Sequence, residues 1–295
     1  MNKKKNGVVL PYDLERDIFE LAARAFPGHA VKLCTISRYV QEWMERIIYE
    51  TVVLDLPLFT TKLFLRTFYS RPTNFFARNV KRLYMTNFLA FPEAREIVAA
   101  CAGLTDLVCW ADPISKSQGN FVDLLSPACI RHLSVKIDAL WGISTSQSHF
   151  KRQFTPHLFP NLSHLEIVNP PGSYSATQVD WDGLRALPKL THLAVGDLWH
   201  KTHLHFIPHF EQTLVQCENL KVLLLISQDD GFVDELRKSG IQQDSRVVVK
   251  TEFNSPLPLS EYWDSVRQGG PDFWGLADRM ALENSRSPPE ALSRN

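Results

Sequence analysis

The sequence predicts an α/β fold: a short N-terminal helical unit, then an irregular leucine-rich-repeat solenoid built on a parallel sheet. Three observations carry this. A phrase of the form apolar-x-x-Leu-x-apolar recurs six times, with its central leucines at 83, 107, 133, 165, 193 and 223. A loose repeat in the twenties to low thirties is the mark of stacked strand-and-return units. A helical or turn-like segment precedes each phrase, and parallel strands need crossovers of about a dozen residues. Residues before about 50 carry a different, purely helical periodicity.

Taken in order, Leu14, Ile18, Leu21, Ala22 and Ala25 form one stripe of a helix, entered at Pro11 and stopped before Pro27. Val31 and Cys34 start a short second helix. Val40, Trp43, Met44, Ile47 and Ile48 mark a third. Thr51-Val52-Val53-Leu54 reads as a strand opening the next region. The phrases then run from Val80 to Met85, Leu104 to Cys109, Ile130 to Val135, Leu162 to Ile167, Leu190 to Val195 and Leu220 to Leu225. Helical or turn-like segments lie at 94–100, 121–125, 181–187 and 210–217. Pro160 and Pro188 end returns and aim the chain into strands. A helix near 233–238 precedes a last strand, Arg246 to Lys250. Phe273, Leu276, Ala277, Met280 and Ala281 form a final helical stripe, expected to cap the end of the array. The expected divisions are a tail at 1–9, the helical unit at 10–50, the solenoid at 51–250, a cap at 251–283 and a second tail at 284–295.

Composition narrows the function. Lys+Arg and Asp+Glu both count 32, so the net charge is zero, which argues against a general nucleic-acid binder. The five cysteines form no CxxC pair and read as reduced thiols of a cytosolic or nuclear protein. Val8 to Leu10 is too short for a signal-peptide core, and no stretch approaches the ~20 apolar residues of a membrane span. Lys3 to Lys5 reads either as a solvated terminus or as a weak nuclear signal.

The N-terminal residues Leu10-Pro11-Tyr12-Asp13-Leu14, Ile18-Phe19, Leu33-Cys34-Thr35-Ile36-Ser37-Arg38 and Trp43 together resemble an F-box. The run Tyr49-Glu50-Thr51-Val52-Val53-Leu54 and the later Asp272-Phe273-Trp274 are similar to segments of the short F-box-like proteins of mushroom-forming fungi. The resemblance implies a substrate receptor of an SCF-type (cullin-RING) ubiquitin ligase. Leu10, Pro11, Leu14, Ile18 and Leu33 would dock on a Skp-type adaptor, and the repeats would hold an unknown target protein. Two alternatives stay open. The same residues can form a private three-helix core, and the loop Phe26 to Ala30 lacks the family's Pro-x-Asp-Leu step. That absence suits a leucine-rich interaction module with a vestigial F-box, acting outside ubiquitination.

Strand alternation assigns the target face. The residues flanking each central leucine point away from the leucine core. These include Arg82, Tyr84, Asp106, His132, His164, Glu166 and His192. Three consecutive repeats thus stack His132, His164 and His192 at parallel-strand spacing, ~4.8 Å. The row reads as a partner-contact patch that changes charge near neutral pH, or as coincidence at a variable exposed position. A denser group, His200, His203, His205 and His209 after Trp199, reads as a polar loop following the fifth phrase; His205 and His209 have helical i, i+4 spacing, but Pro208 interrupts them and no Cys or carboxylate completes a metal site. Asp180 and Asp182 suit a helix start, and Asp229-Asp230-Gly231 a turn. Cys34 near His29 lacks an orienting third group. Nucleophile-elbow, dinucleotide, P-loop and HExxH motifs are absent. The expectation is a non-catalytic protein without cofactor or metal, binding proteins rather than nucleic acid or membrane.

Overall fold

The computed structural model describes residues 10–56, 58–113, 119–143, 153–172, 179–251 and 272–286. The expected tail at 1–9, with Lys3 to Lys5, and the turn at Pro256 and Pro258 lie outside these residues, as does the expected second tail except for 284–286, which finish the last helix instead.

Three helices open the chain: α1 (Tyr12–Ala25), α2 (Ala30–Leu33) and α3 (Arg38–Ile48). Pro11 stands before the first turn of α1, where a missing N–H costs nothing, and Asp13 and Glu15 meet the positive end of its dipole. Ser37 caps α3, its hydroxyl accepting from the Val40 N–H at 3.3 Å. Ala23, Ala30, Val40, Trp43 and Met44 close a small core separate from the main one. Arg71 pairs with Glu45 at 2.5 Å, and Tyr49 packs its ring edge-on against Phe75 at 5.1 Å. Both contacts tie the helical unit to the next part of the chain.

Eight strands succeed the helical unit: β1 (Thr51–Leu54), β2 (Arg82–Met85), β3 (Asp106–Cys109), β4 (His132–Val135), β5 (His164–Ile167), β6 (His192–Val195), β7 (Val222–Ile226) and β8 (Val247–Lys250). They form one sheet in chain order, every neighbouring pair parallel. The register aligns Leu83, Leu107, Leu133, Leu165, Leu193 and Leu223, with Val52 and Val247 extending the row at either end. All eight side chains are buried. Each such burial contributes about 1.5 to 3 kcal/mol relative to an exposed side chain.

The crossovers carry α4 (Leu58–Ser70), α5 (Thr73–Asn79), α6 (Phe91–Ala100), α7 (Ile137–Trp141), α8 (Trp181–Arg185), α9 (His200–His203), α10 (Ile207–Gln216) and α11 (Asp230–Ser239). Phe76, Ile97, Leu140, Leu184, Phe210 and Phe232 from these helices join the inward leucines in one continuous core. Because successive strands are neighbours, each return packs beside the previous one on the same side. Asp180 serves two elements: one carboxylate oxygen accepts from the Gly183 N–H at 3.0 Å, the other from the Phe154 N–H at 2.9 Å. Gly240 ends α11 at φ +79°, a left-handed position that glycine takes without penalty.

Three findings differ from the sequence expectations. Helices α4 and α5 occupy a stretch whose crowded apolar residues single out no helical stripe. The polar loop expected at His200 to His209 is helical instead, α9 followed by a 3-10 turn, Leu204–Phe206, and by the first turn of α10, where Pro208 is tolerated because its missing N–H would have no helical partner. The last helix, α12 (Phe273–Arg286), does not close the end of the leucine core. It lies across the opposite face of the sheet, where Ala277 joins Ala194, Val222, Leu224, Ile226 and Val248 in a second apolar cluster. The reason lies in β7. Val222 to Ile226 is apolar on both sides, so its outer side also needs a cover.

Candidate functional site

Two surfaces gather the residues singled out by sequence. The first is the outer face of the sheet. Arg82, Asp106, His132, His164 and His192 stand side by side in one register row, from β2 to β6. Tyr84, Ser134 and Glu166 belong to the adjacent outward row.

The histidine rings do stack. His132 and His164 have centroids 4.3 Å apart, edge to face, and His164 and His192 lie 4.0 Å apart and nearly parallel. Trp274 of α12 sets its ring edgewise against both, at 5.2 Å from His164 and 5.7 Å from His192. Burial drives the His164 pKa down to about 3, with the neighbouring His192 and His132 adding to the effect. This imidazole is therefore neutral at physiological pH. His132 Nδ1 hydrogen-bonds Asp106 Oδ1 at 2.5 Å. Burial pushes the Asp106 carboxyl up, but His132, the Thr105 hydroxyl and Arg82 outweigh it and hold the group below its usual range.

Glu166 behaves oppositely. The Ser134 hydroxyl donates to its Oε2 at 2.5 Å, and Trp110 Nε1 donates to Ser134 Oγ at 3.0 Å. Burial nonetheless pushes Glu166 up to about 7, the Ser134 bond opposing only in part. The face thus combines an ionised aspartate, a neutral imidazole and a carboxyl that titrates near neutrality. It is a surface of mixed donors and acceptors rather than a field of one charge.

Two expected outward residues are not freely accessible. His192 is 5% exposed, because α12 covers it and Asp278 Oδ1 lies 2.9 Å from its Nε2. Tyr84 is 8% exposed although it shares the outward row. Arg82 turns to the N-terminal unit, pairing with Glu50 at 3.1 Å. Sequence reasoning did not single out Trp110, Trp274 or Asp278 for this face. Trp110 was legible, since it stands two residues beyond Val108 in the outward phase of β3. Nothing local ties Trp274 or Asp278 to His164 and His192, more than 80 residues earlier in the chain.

The second surface is α1. Leu10, Leu14, Ile18 and Leu21 are 48%, 52%, 55% and 71% exposed, and Pro11 is exposed beside them. Their spacing puts them along one side of the helix, while Phe19 and Ala23 on the other side feed the unit's own core. Leu33, grouped with them by sequence, instead packs against that core. The one-turn helix α2 faces α3, which draws Leu33 inward.

Other chemistry is sparse. The five cysteines are unpaired, and burial pushes the Cys101 and Cys109 thiols up to about 12. The Cys34 thiol is also raised, by burial and by Glu45, the reverse of an activated nucleophile. His209 stacks on Trp181 at 5.6 Å instead of converging with His205 on a shared point. Among the described residues no group of three or more His, Cys, Asp or Glu side chains is placed to hold a metal. Among them, too, no helix is long and apolar enough to cross a membrane.

These features define an α/β protein whose described residues form a single parallel sheet of eight strands. No known family model matches the chain, and neither a curated protein nor a solved structure matches it.

Proposed function

We propose that this protein is a non-catalytic substrate-recognition adaptor of an SCF-type (cullin-RING) ubiquitin ligase. In this reading residues 10–50 are an F-box-like unit, and the sheet with its one-sided returns is an irregular leucine-rich solenoid. The unit docks on a Skp-type adaptor, and the outer face binds a target protein.

The observation that carries the reading is the exposed stripe on α1. A private three-helix core would bury Leu10, Leu14 and Ile18, yet each leaves about half of its surface in water. Leaving half of such a side chain exposed forgoes about 1 kcal/mol apiece. Contiguous exposed apolar surface marks a protein-binding site. The unit's core is complete without these residues, so the stripe is free to serve a partner helix.

Leu33 favours a second reading. Its inward packing removes one expected anchor, as the missing Pro-x-Asp-Leu step also does. That reading is a leucine-rich interaction module with a vestigial F-box.

Co-purification with a Skp-type adaptor separates the two. The full chain is expected to retain the adaptor, and Leu14→Asp to lose it. Because Leu14 is exposed, that substitution should move folding stability by no more than about 0.5 kcal/mol. Failure of the intact chain to capture the adaptor rejects the ligase role and leaves the interaction module.

A further inference from the structure

Helix α12 sits on the sheet as a ligand would. Its anchors are Trp274, Ala277, Asp278 and Ala281, which follow i, i+3, i+4, i+7 and so line one side of the helix. Trp274 meets the rings of His164 and His192. Ala277, 2% exposed, enters the cluster over β7 and β8. Asp278 reaches His192 Nε2, and Asn284 Nδ2 donates to the Val247 carbonyl at 3.0 Å. Asp272 closes the helix on itself, one oxygen accepting from the Gly275 N–H at 2.7 Å. The rest of the helix is largely solvated, with Leu282 at 51% exposure.

The surface beneath is made for such an occupant. Across β3 to β5 the outward rows carry Asp106, His132, Ser134, His164 and Glu166, with Val108 the one apolar member. Across β6 to β8, between His192 at one edge and Lys250 at the other, they change to Ala194, Val222, Leu224, Ile226 and Val248. The small Ala194 lets a helix approach closely, and the last ring of the histidine row supplies a polar anchor at the edge of the apolar patch. A helix laid by i, i+3, i+4, i+7 anchors into an apolar depression is a recurring mode of protein recognition.

We infer that this part of the outer face is a helix-recognition surface, occupied in cis by α12, and that it accepts an amphipathic helix of a partner protein in its place. The partner helix presents an aromatic residue, a small residue, an acid and a small residue at i, i+3, i+4 and i+7. The aromatic residue lies against His164 and His192, the acid on His192, and the small residues over Leu224 and Val248. This deepens the target-binding half of the proposed function and rests on it. The docked α12 competes at the high effective concentration of a tethered segment, so the covered face binds partners weakly until the helix is displaced.

The test uses the full chain and a fluorescently labelled synthetic peptide of residues 272–286. Ala277→Arg in the chain puts a long cation where no space exists and so undocks α12, while the sheet residues are untouched. Anisotropy titration should show the peptide binding this variant at least tenfold more tightly than it binds the wild-type chain. A peptide carrying Ala277→Arg itself should bind neither. Equal affinities, or no binding to the variant with its circular dichroism intact, overturn the inference. Should the variant fail to fold, hydrogen exchange on the wild-type chain decides. The amides of α12 are expected to exchange through local opening, well before those of β4 to β6, and exchange only with global unfolding overturns the proposal. Adaptor capture through α1 does not involve this face, so its failure is distinguishable from failure here.

Discussion

Glu166 offers the sharpest quantitative check on the outer face. Its carboxyl has a pKa of about 7 in the folded chain, against an ordinary value of 4.5, because burial disfavours the charge more than the Ser134 hydrogen bond supports it. At about 1.4 kcal/mol per pH unit, and allowing for the solvent that reaches the side chain, ionising this group in place costs about 2 to 3 kcal/mol. Between pH 4.5 and 7 the unfolded chain releases a proton that the folded chain keeps. The unfolded state therefore binds fewer protons, and stability falls as pH rises through this window. Glu166→Gln removes the titration while its amide oxygen still accepts from Ser134. Relative to wild type, the variant should be near neutral at pH 4.5 and more stable by about 2 to 3 kcal/mol at pH 8. His164 has the opposite sense: its lowered pKa costs stability as pH falls below 6.5. That background is common to both chains and cancels in their difference. Urea melts at pH 4.5, 6 and 8, analysed by linear extrapolation with a shared slope, measure the difference. A gap that stays constant across the three pH values refutes the reasoning, because a carboxyl with an ordinary pKa produces no such growth.

Two further perturbations probe the scaffold. Leu165→Ala empties a fully buried site at the centre of the leucine row and should cost about 2 to 5 kcal/mol by denaturant unfolding; a loss below about 1 kcal/mol would mean the row is not packed. Asp180→Ala strips the acceptor from both the Gly183 and Phe154 N–H groups and should cost about 1 to 2 kcal/mol, read as a shift in the thermal midpoint, with Asp180→Asn recovering part of it.

All eight strands were legible in the sequence, because strand identity here is a local matter. Each phrase carries its own alternation, and Val52 and Val247 extend the row at strands recognised from β-branched runs at 51–54 and 246–250. The histidine row was legible for the same reason: equal position within the phrase becomes equal height in a parallel register. The destiny of the α1 stripe was not. Leu14 and Ile18 have the spacing of a buried face, and only the packing of α1 on α3 through Phe19, Ala23 and Trp43 turns them outward. The cover over β6 to β8 was half legible. The unbroken apolar run Val222 to Ile226 announces a strand enclosed on both sides, without saying by what.

The amino-acid sequence alone determined the repeat, the parallel order of strands and the side on which the leucines gather, since these follow from periodicity over a few residues. The tertiary structure alone decided which apolar side chains remain in water and that a helix 80 residues downstream of His192 closes over it. Such choices are made by the competition of distant surfaces for burial, and no local pattern records its outcome.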